Sequence, residues 1–506
     1  MEKPNNVIKQ KAVADKPISI ICIAIVAVFV CIMAIKPDET LNGVNVIFDV
    51  VTSIMATPIL WFIFIGLFIS LYIAFSKHGQ VKLGDGEAEF SMFSYIAMMM
   101  CAALAATATY YSFVEWSFYY AEPAFSIEPY SQEAAEYSLS YAFFHWGFAV
   151  QVVFVLTAVS VAYAYHVRKI PVLRISAICE AMMGDFKYKK PLGKLIDVLT
   201  ILSIVGGMGV SLGVGVPIIS AGIAHVMGIE ATFTVNLIVL LLVAVIFSVT
   251  SIIGIEKGMK KLSDLTMYLM IVLIAFIFIF GPTKFIAQEF TYSIGKMLSN
   301  YVDMSFFTDP VGQSGFPEIN TIFLFCLAFN YAALMGIFIT KISKGRTIKE
   351  MILTCLGGIS VGTWIMFAVN GGFGLNAELT GSYALSKAED LQAGLMEMFG
   401  TLPLGKAVLP IVFAIATLGF LATSLDSASF TLASAATSKL DEKGNPNPKF
   451  RLVWCVVLAL VPLVIMFTGA PFNALKTICI VLSIPFMFII IGMLIGLFKW
   501  FKEDGN

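Results

Sequence analysis

Residues 232–254 read TFTVNLIVLLLVAVIFSVTSIIG and contain no Asp, Glu, Lys, Arg or His. An uncharged apolar run of this length matches, as a helix, the roughly 30 Å hydrocarbon core of a bilayer, which needs about 20 residues. Working outward, eleven more stretches qualify. The full set runs over 18–36, 51–76, 92–120, 139–166, 195–222, 232–254, 264–287, 320–341, 350–374, 406–438, 451–468 and 474–498. The whole chain is 59% hydrophobic and 13% charged, against about 45–50% and about 25% in a soluble domain. These values predict an all-α integral membrane protein with twelve transmembrane helices.

Basic residues test that count. With twelve spans both termini share one side. If that side is the cytoplasm, 26 of the 32 Lys and Arg residues fall in cytoplasmic segments. The other six are Lys36, Lys284, Lys296, Lys387, Lys406 and Lys476. A miscounted span in the middle would erase the asymmetry, so positive-inside placement supports both number and direction. The expected location is the inner (plasma) membrane, multi-pass, with both termini cytoplasmic. The polar segment Met1–Pro17 precedes an apolar run without a small-residue cleavage site, which predicts a retained first span. A net charge of −1 produces no long-range field, and no nucleic-acid partner is expected. The eight cysteines form no CxxC pair and are read as free thiols. The four histidines, at 78, 145, 166 and 225, are scattered and offer no paired catalytic constellation. No symmetric pore motif is visible, so the expectation is a carrier and neither an enzyme nor a channel.

Ionisable groups at membrane depth are costly, and they mark candidate functional positions. Here they are Glu115, His145, Asp264 and Asp426. Asp264 follows a basic turn and is a candidate helix cap with Ser263. The third span carries a small-residue run, Cys101 to Thr109, that permits close backbone approach. The fifth carries Gly206-Gly-Met-Gly-Val-Ser-Leu-Gly-Val-Gly215, which is expected to unwind easily. The eighth carries Asn330, a polar group that needs a partner. The tenth carries Thr423-Ser-Leu-Asp-Ser-Ala-Ser429. Its hydroxyls suit a small hard cation beside freed backbone carbonyls; alternatively each bonds its own i−4 carbonyl. Between spans seven and eight, Phe290, Ile294, Met297, Leu298 and Tyr301 recur at helical spacing. They predict an amphipathic helix over 288–304, lying in the interface or forming a subunit contact.

These residues resemble one family, the betaine–choline–carnitine transporters, over about 20–500. Lys341-Ile-Ser-Lys-Gly-Arg-Thr347 is similar to the family's RISRGRT cytoplasmic signature. Phe144-His-Trp-Gly147 and the Thr423–Ser424 pair also match. Phe316-Pro317 with Thr321 and Phe323 looks like the FPxxWTxFYW run, with Asn320 and Phe325 in place of its two tryptophans. The resemblance implies a five-plus-five inverted repeat preceded by two extra helices. The expected units are 1–90 (the N-terminus and two helices), 91–287 (the first repeat, spans three to seven), 288–304, 320–498 (the second repeat, spans eight to twelve) and a short tail, 499–506. It also implies a homotrimer that contacts through the helix before span eight.

For the coupling ion, the resemblance implies a sodium site made from the Thr423 and Ser424 hydroxyls with carbonyls near Cys101, Leu104 and Phe420. Sodium-independent exchangers of the family lose this pair and carry an arginine in span seven; the matching position here is Thr266. A second sodium site known in some members maps to Ile204 and Met208 and is expected to be absent. For the solute, the implied cage positions are Ala103 and Thr107 in span three, Trp146, Gln151 and Phe154 in span four, and Phe325, Leu327, Ala328, Tyr331 and Met335 in span eight. Trp146, Phe154, Phe325 and Tyr331 are aromatic, but the family's tryptophans at 151, 327 and 328 are replaced. Its glycine motif reads Ala103-Leu-Ala-Ala-Thr107. A quaternary ammonium is held by cation–π contact, whereas Gln151, Asn330 and Thr107 suit an ammonium that donates hydrogen bonds. The expected function is sodium-coupled import of a betaine-like or related zwitterionic amine by alternating access. The alternatives are a carrier of a small amino acid such as glycine, or a sodium-independent exchanger. Only Lys499–Asn506 follow the last span, so little osmotic activation through the tail is expected.

Overall fold

Apolar side chains remove the water that would otherwise satisfy backbone N–H and C=O groups, so each lipid-facing segment must bond within itself as a helix. The computed structural model, which describes residues 12–253, 258–441, 445–468 and 472–505, is helical throughout its apolar stretches. The helices are α1 Lys16–Ile35, α2 Pro37–Phe75, α3 Met92–Ala121, α4 Gln132–Val167, α5 Ile175–Met182, α6 Lys189–Met227, α7 Phe233–Ile253 and α8 Lys260–Phe280. They continue with α9 Thr283–Ser299, α10 Tyr301–Phe306, α11 Pro317–Ile342, α12 Ile348–Leu379, α13 Leu391–Phe399, α14 Gly405–Ala435, α15 Pro448–Thr468 and α16 Phe472–Glu503. A two-stranded antiparallel pair, β1 Val13–Ala14 with β2 Thr437–Lys439, is the one sheet among the described residues. Of the lysines assigned to the cytoplasm from sequence, Lys3, Lys9, Lys11, Lys257 and Lys443 lie outside the described residues.

Each of the twelve predicted stretches overlaps a helix among the described residues, but 264–287 crosses the break between α8 and α9 and 406–438 runs into β2. Among the described residues, nine helices are long and apolar enough to cross a membrane, or ten when bent α3 is counted as one span. The chain is thus an all-α, multi-pass integral membrane protein. The helices differ in what surrounds them. The most apolar window of α11 is 100% buried and that of α4 is 94% buried, whereas α7 and α8 reach only 28% and 33%. So α11 and α4 form the centre, together with α3, α6 and α14 packed around them, while α7 and α8 show apolar side chains outward, as lipid-facing helices must.

Three sequence motifs set this arrangement. The Lys341–Thr347 signature ends α11 and continues as a loop clamped on the segment before α3. Gly345 N–H donates to the Leu83 carbonyl at 2.7 Å, and Arg346 Nη2 donates to the Phe90 carbonyl at 2.7 Å. The Arg346 guanidinium also sits 4.2 Å from the Tyr95 ring centroid. Gly345 has φ +83, and a Cβ there would stand 2.3 Å from the Glu87 carbonyl oxygen, so only glycine fits. Thr347 then starts α12 through a capping box with Glu350. In the second motif, α4 breaks at Gly147, whose φ −91 and ψ −140 leave the helix. The neighbouring helix α12 engages carbonyls flanking the break: Thr363 Oγ1 donates to Trp146 O at 3.0 Å and Trp364 Nε1 to Phe143 O at 2.8 Å. In the third, α3 bends by 70° between Met92–Leu104 and Ala106–Ala121.

Two expectations are corrected. The glycine-rich run 206–215 does not unwind: α6 passes through it as one continuous helix. Its glycines instead let other helices approach, since a Cβ at Gly215 would stand 2.6 Å from Ala106 Cβ and one at Gly207 3.1 Å from the Tyr331 ring. The amphipathic segment is also displaced: it is α9, Thr283–Ser299, followed by the short α10. Ile286, Ser293 and Met297 are buried on it, while Leu298 stays 55% exposed.

Candidate functional site

The bend of α3 has polar contacts on two sides. Toward α14, Ser424 Oγ donates to the Cys101 carbonyl at 2.7 Å. One residue back, Thr423 Oγ1 lies 2.9 Å from both the Gly419 and Phe420 carbonyls. Ser427 Oγ bonds the Thr423 carbonyl at 2.9 Å. Four of the five positions assigned to the cation from sequence, Cys101, Phe420, Thr423 and Ser424, are buried here; Thr423 and Ser427 make the i−4 bonds of the alternative reading, and Ser424 reaches across to another helix. The fifth, Leu104, lies one turn further along α3, on the wall of the neighbouring cavity. Thr266 of α8 is buried against the same stretch: a Cβ on Gly419 would stand 2.2 Å from Thr266 Oγ1.

Toward α4 and α11, the bend faces a narrow cavity of about 20 Å³, room for about one water molecule. Seven residues assigned to the solute line it: Ala103, Thr107, Trp146, Phe154, Leu327, Ala328 and Tyr331. Leu104, Val150 and Leu324 complete the wall. Phe325, Gln151 and Met335 are not part of it. The side-chain period of a helix accounts for this: Trp146, Val150 and Phe154 repeat every four residues on one face of α4, and position 151 lies beside that face. Phe325 instead packs edge-on against Phe144 and His145. Gln151 is fully buried, and neither of its amide atoms has a hydrogen-bond partner.

A serine not singled out from sequence joins the cavity walls. Ser211 Oγ lies 3.2 Å from Thr107 Oγ1 and 2.5 Å from Tyr331 OH, tying α3, α6 and α11 together. Its signal was its place as the hydroxyl inside a glycine run, where two other helices come close. Asn330, expected to face a solute, is engaged elsewhere. Its Nδ2 donates to the Cys326 carbonyl at 2.9 Å and to the Cys479 carbonyl at 2.5 Å, and Ser203 Oγ donates to its Oδ1 at 2.6 Å.

The ionisable groups separate by partner. Asp264 is not a cap; it accepts from Lys260 at 2.8 Å and from Ser94 at 3.2 Å. Asp426 is buried in an ion pair with Arg451 and accepts from Ser251 at 2.6 Å. Glu115 is 1% exposed and bonds both Tyr119 OH and the Trp146 indole N–H. His145 Nδ1 lies 2.7 Å from the same Tyr119 hydroxyl, and its Nε2 lies 2.9 Å from Thr321 Oγ1. The cavity tryptophan is thus held through its ring nitrogen by a buried carboxylate.

Comparison with known proteins gives these positions a context. The sequence profile of the betaine/carnitine/choline family of transporters, BCCT, matches residues 17–506. A protein described as a carnitine transporter from Acinetobacter baumannii is 34% identical over 497 residues, covering 98% of this chain and 90% of that protein. An uncharacterized transporter of Escherichia coli K12, YeaV, is 34% identical over 437 residues, covering 86% of this chain and 90% of its own. Among solved structures, a sodium-coupled sialic acid symporter in a substrate-bound outward-open state gives a TM-score of 0.48 at 11% identity. It covers 87% of this chain and 86% of its own; at that similarity it does not bear on fold or function. By its family match and the two sequence relatives the chain is a carrier of a small polar solute across a bilayer, and it belongs to the betaine/carnitine/choline family of transporters.

Proposed function

We propose that this protein is a sodium-coupled symporter that imports a betaine-like zwitterionic amine by alternating access. The observation that carries the reading is the Ser424 hydroxyl on the Cys101 carbonyl at the bend of α3, 2.7 Å apart, one turn from a cavity walled by Trp146. Hydroxyl and carbonyl oxygens are hard donors that suit a small hard cation. With no cation bound, the Ser424 proton bridges the two oxygens. A cation taking that place draws on both lone pairs and pushes the oxygens apart, so its arrival moves α3 against α14. The cavity shares the turn 101–104, and the same movement reshapes it. Thr266, where the family's sodium-independent exchangers carry an arginine, is neutral and packs against Gly419; this favours sodium over exchange.

Trp146, Phe154 and Tyr331 supply aromatic faces for the cationic head group, and Thr107 supplies a hydroxyl. The relative described as a carnitine transporter supports a trimethylammonium zwitterion. A second reading, a small amino acid such as glycine, is favoured by the hydroxyl set Thr107, Ser211 and Tyr331 and by the aliphatic wall of Ala103, Leu327 and Ala328. The remaining architecture belongs to the same proposal: twelve spans, a five-plus-five inverted repeat over 91–287 and 320–498, cytoplasmic termini, and a homotrimer contacting through α9.

Uptake of radiolabelled glycine betaine into proteoliposomes, with sodium replaced by potassium, tests the reading. Loss of uptake in potassium is expected. Unchanged uptake removes the sodium coupling. Competition then separates the solutes: strong inhibition by glycine betaine with none by glycine ends the amino-acid reading, and the reverse ends the betaine reading.

A further inference from the structure

The cavity tryptophan is attached to a buried chain of groups that neither transported species uses. Glu115 Oε1 accepts the Tyr119 hydroxyl proton and Oε2 accepts the Trp146 indole proton. A phenol has one proton to give. Because Tyr119 gives it to Glu115, Tyr119 must accept from His145 Nδ1, 2.7 Å away. His145 Nε2 then accepts from Thr321 Oγ1 at 2.9 Å. In this arrangement the group carries one negative charge. Its neighbours are Tyr111 and Tyr119 on α3, Tyr141 and His145 on α4, Phe316 and Thr321 at the start of α11, and Phe367 on α12. None of these is a lysine or arginine, and the ring nitrogen His145 Nδ1 stands 3.5 Å from Glu115 Oε1.

Adding one proton reverses the chain without moving a heavy atom. The carboxylic O–H donates to Tyr119, Tyr119 donates to His145 Nδ1, and His145 Nε2–H donates to Thr321. The charge becomes zero and every hydrogen bond survives. An uncompensated buried charge is costly at membrane depth, so the negative state needs a cation nearby. When the cavity holds one, that cation lies on the face of Trp146, the ring whose N–H is bonded to Glu115. A carboxylate on the indole N–H also enriches the ring face that a cation contacts.

We propose that Glu115, Tyr119 and His145 form a proton-binding site that competes with the solute's cationic head group: the relay holds one proton when the cavity is empty and releases it when the head group settles on Trp146. The exchange balances as one proton leaving the relay for solvent per cation bound. Beside His145 stands Tyr141, whose buried hydroxyl has no hydrogen-bond partner among the described residues. The proposal rests on the reading of Trp146 as the wall for the solute's cation.

The test uses the full chain in liposomes with glycine betaine as probe, from about pH 5 to about pH 9. Affinity is expected to tighten about tenfold as pH rises, with about one proton released per solute bound. Glu115→Gln is expected to bind at the weak, acid-side affinity at every pH and to release no proton. A wild type whose affinity ignores pH, or a Glu115→Gln variant that keeps the pH response, overturns the proposal. A second measurement needs neither that variant nor any solute. Infrared difference spectra of the solute-free wild type are expected to show a protonated-carboxyl band that titrates and that shifts in Tyr119→Phe. Absence of such a band overturns the proton site whatever solute is carried. Absence of glycine betaine binding with the band intact overturns the solute reading alone.

Discussion

The two sides of the α3 bend are built from different material. On the α14 side, hydroxyls meet main-chain oxygens: Ser424 on Cys101, and Thr423 on Gly419 and Phe420. On the α4 and α11 side, the wall is side chains, Trp146, Phe154, Tyr331 and Thr107 among aliphatic residues. A carbonyl is the same group whatever residue carries it, so the first side tolerates Cys101 and Leu104 where other residues could stand. The second side changes character with every substitution. The difference teaches that the two sides answer differently to substitution, and on the proposed reading coupling and solute choice are then separable.

If that separation holds, the largest effect comes from the first side. Thr423→Ala combined with Ser424→Ala removes both side-chain oxygens, and loss of even outer partners of an ion site costs about 10–100-fold. Uptake in sodium is expected to fall about a hundredfold, measured as initial rate in proteoliposomes, while solute binding without sodium persists. If both fall together, the two sides are one site. Trp146→Ala comes next. One cation–π contact contributes about 0.5–2 kcal/mol, and glycine betaine binding is expected to weaken about tenfold by titration, with the sodium requirement intact.

Smaller effects sharpen the boundary between site and scaffold. Gly419→Ala drives a methyl group to within 2.2 Å of Thr266 Oγ1. Overpacking of this kind costs about 1–3 kcal/mol, seen as a lowered melting temperature that Thr266→Ala restores. An unaffected Gly419→Ala variant would mean that α8 yields freely there. The smallest change is expected for Gln151→Leu, which removes a buried amide with no partner. Uptake is expected to stay within about twofold and stability to rise by about 1 kcal/mol. A tenfold loss of uptake would instead place Gln151 in contact with the solute.

Much of the fold is legible in the sequence. Helix existence follows from length and apolarity alone, because lipid leaves the backbone no other choice. The hydroxyl pair stands out in sequence as adjacent polar residues, but the carbonyl each one meets does not: Thr423 bonds Gly419 on its own helix and Ser424 reaches Cys101 on α3. The cage was less legible: Gln151 and Phe325 are adjacent in sequence to cavity residues, but a shift of one position turns a side chain by about 100°. The glycine run misled because glycine serves both an unwound helix and a close approach, and only the neighbours, Ala106 and Tyr331, decide which. Asn330 misled for a related reason: its partners, Ser203 and Cys479, are distant in sequence. The relay on Glu115 was visible only as two ionisable residues, since Tyr119 joins them by hydrogen bonds that composition does not reveal.

The central claim is that a cation held between α3 and α14 drives the solute. Radiolabelled sodium entry into proteoliposomes, with and without glycine betaine outside, measures it directly. The account predicts solute-dependent sodium entry at one sodium per solute, absent from the Thr423→Ala, Ser424→Ala protein. Glycine betaine entry without accompanying sodium, or sodium entry that persists in that variant, would contradict it.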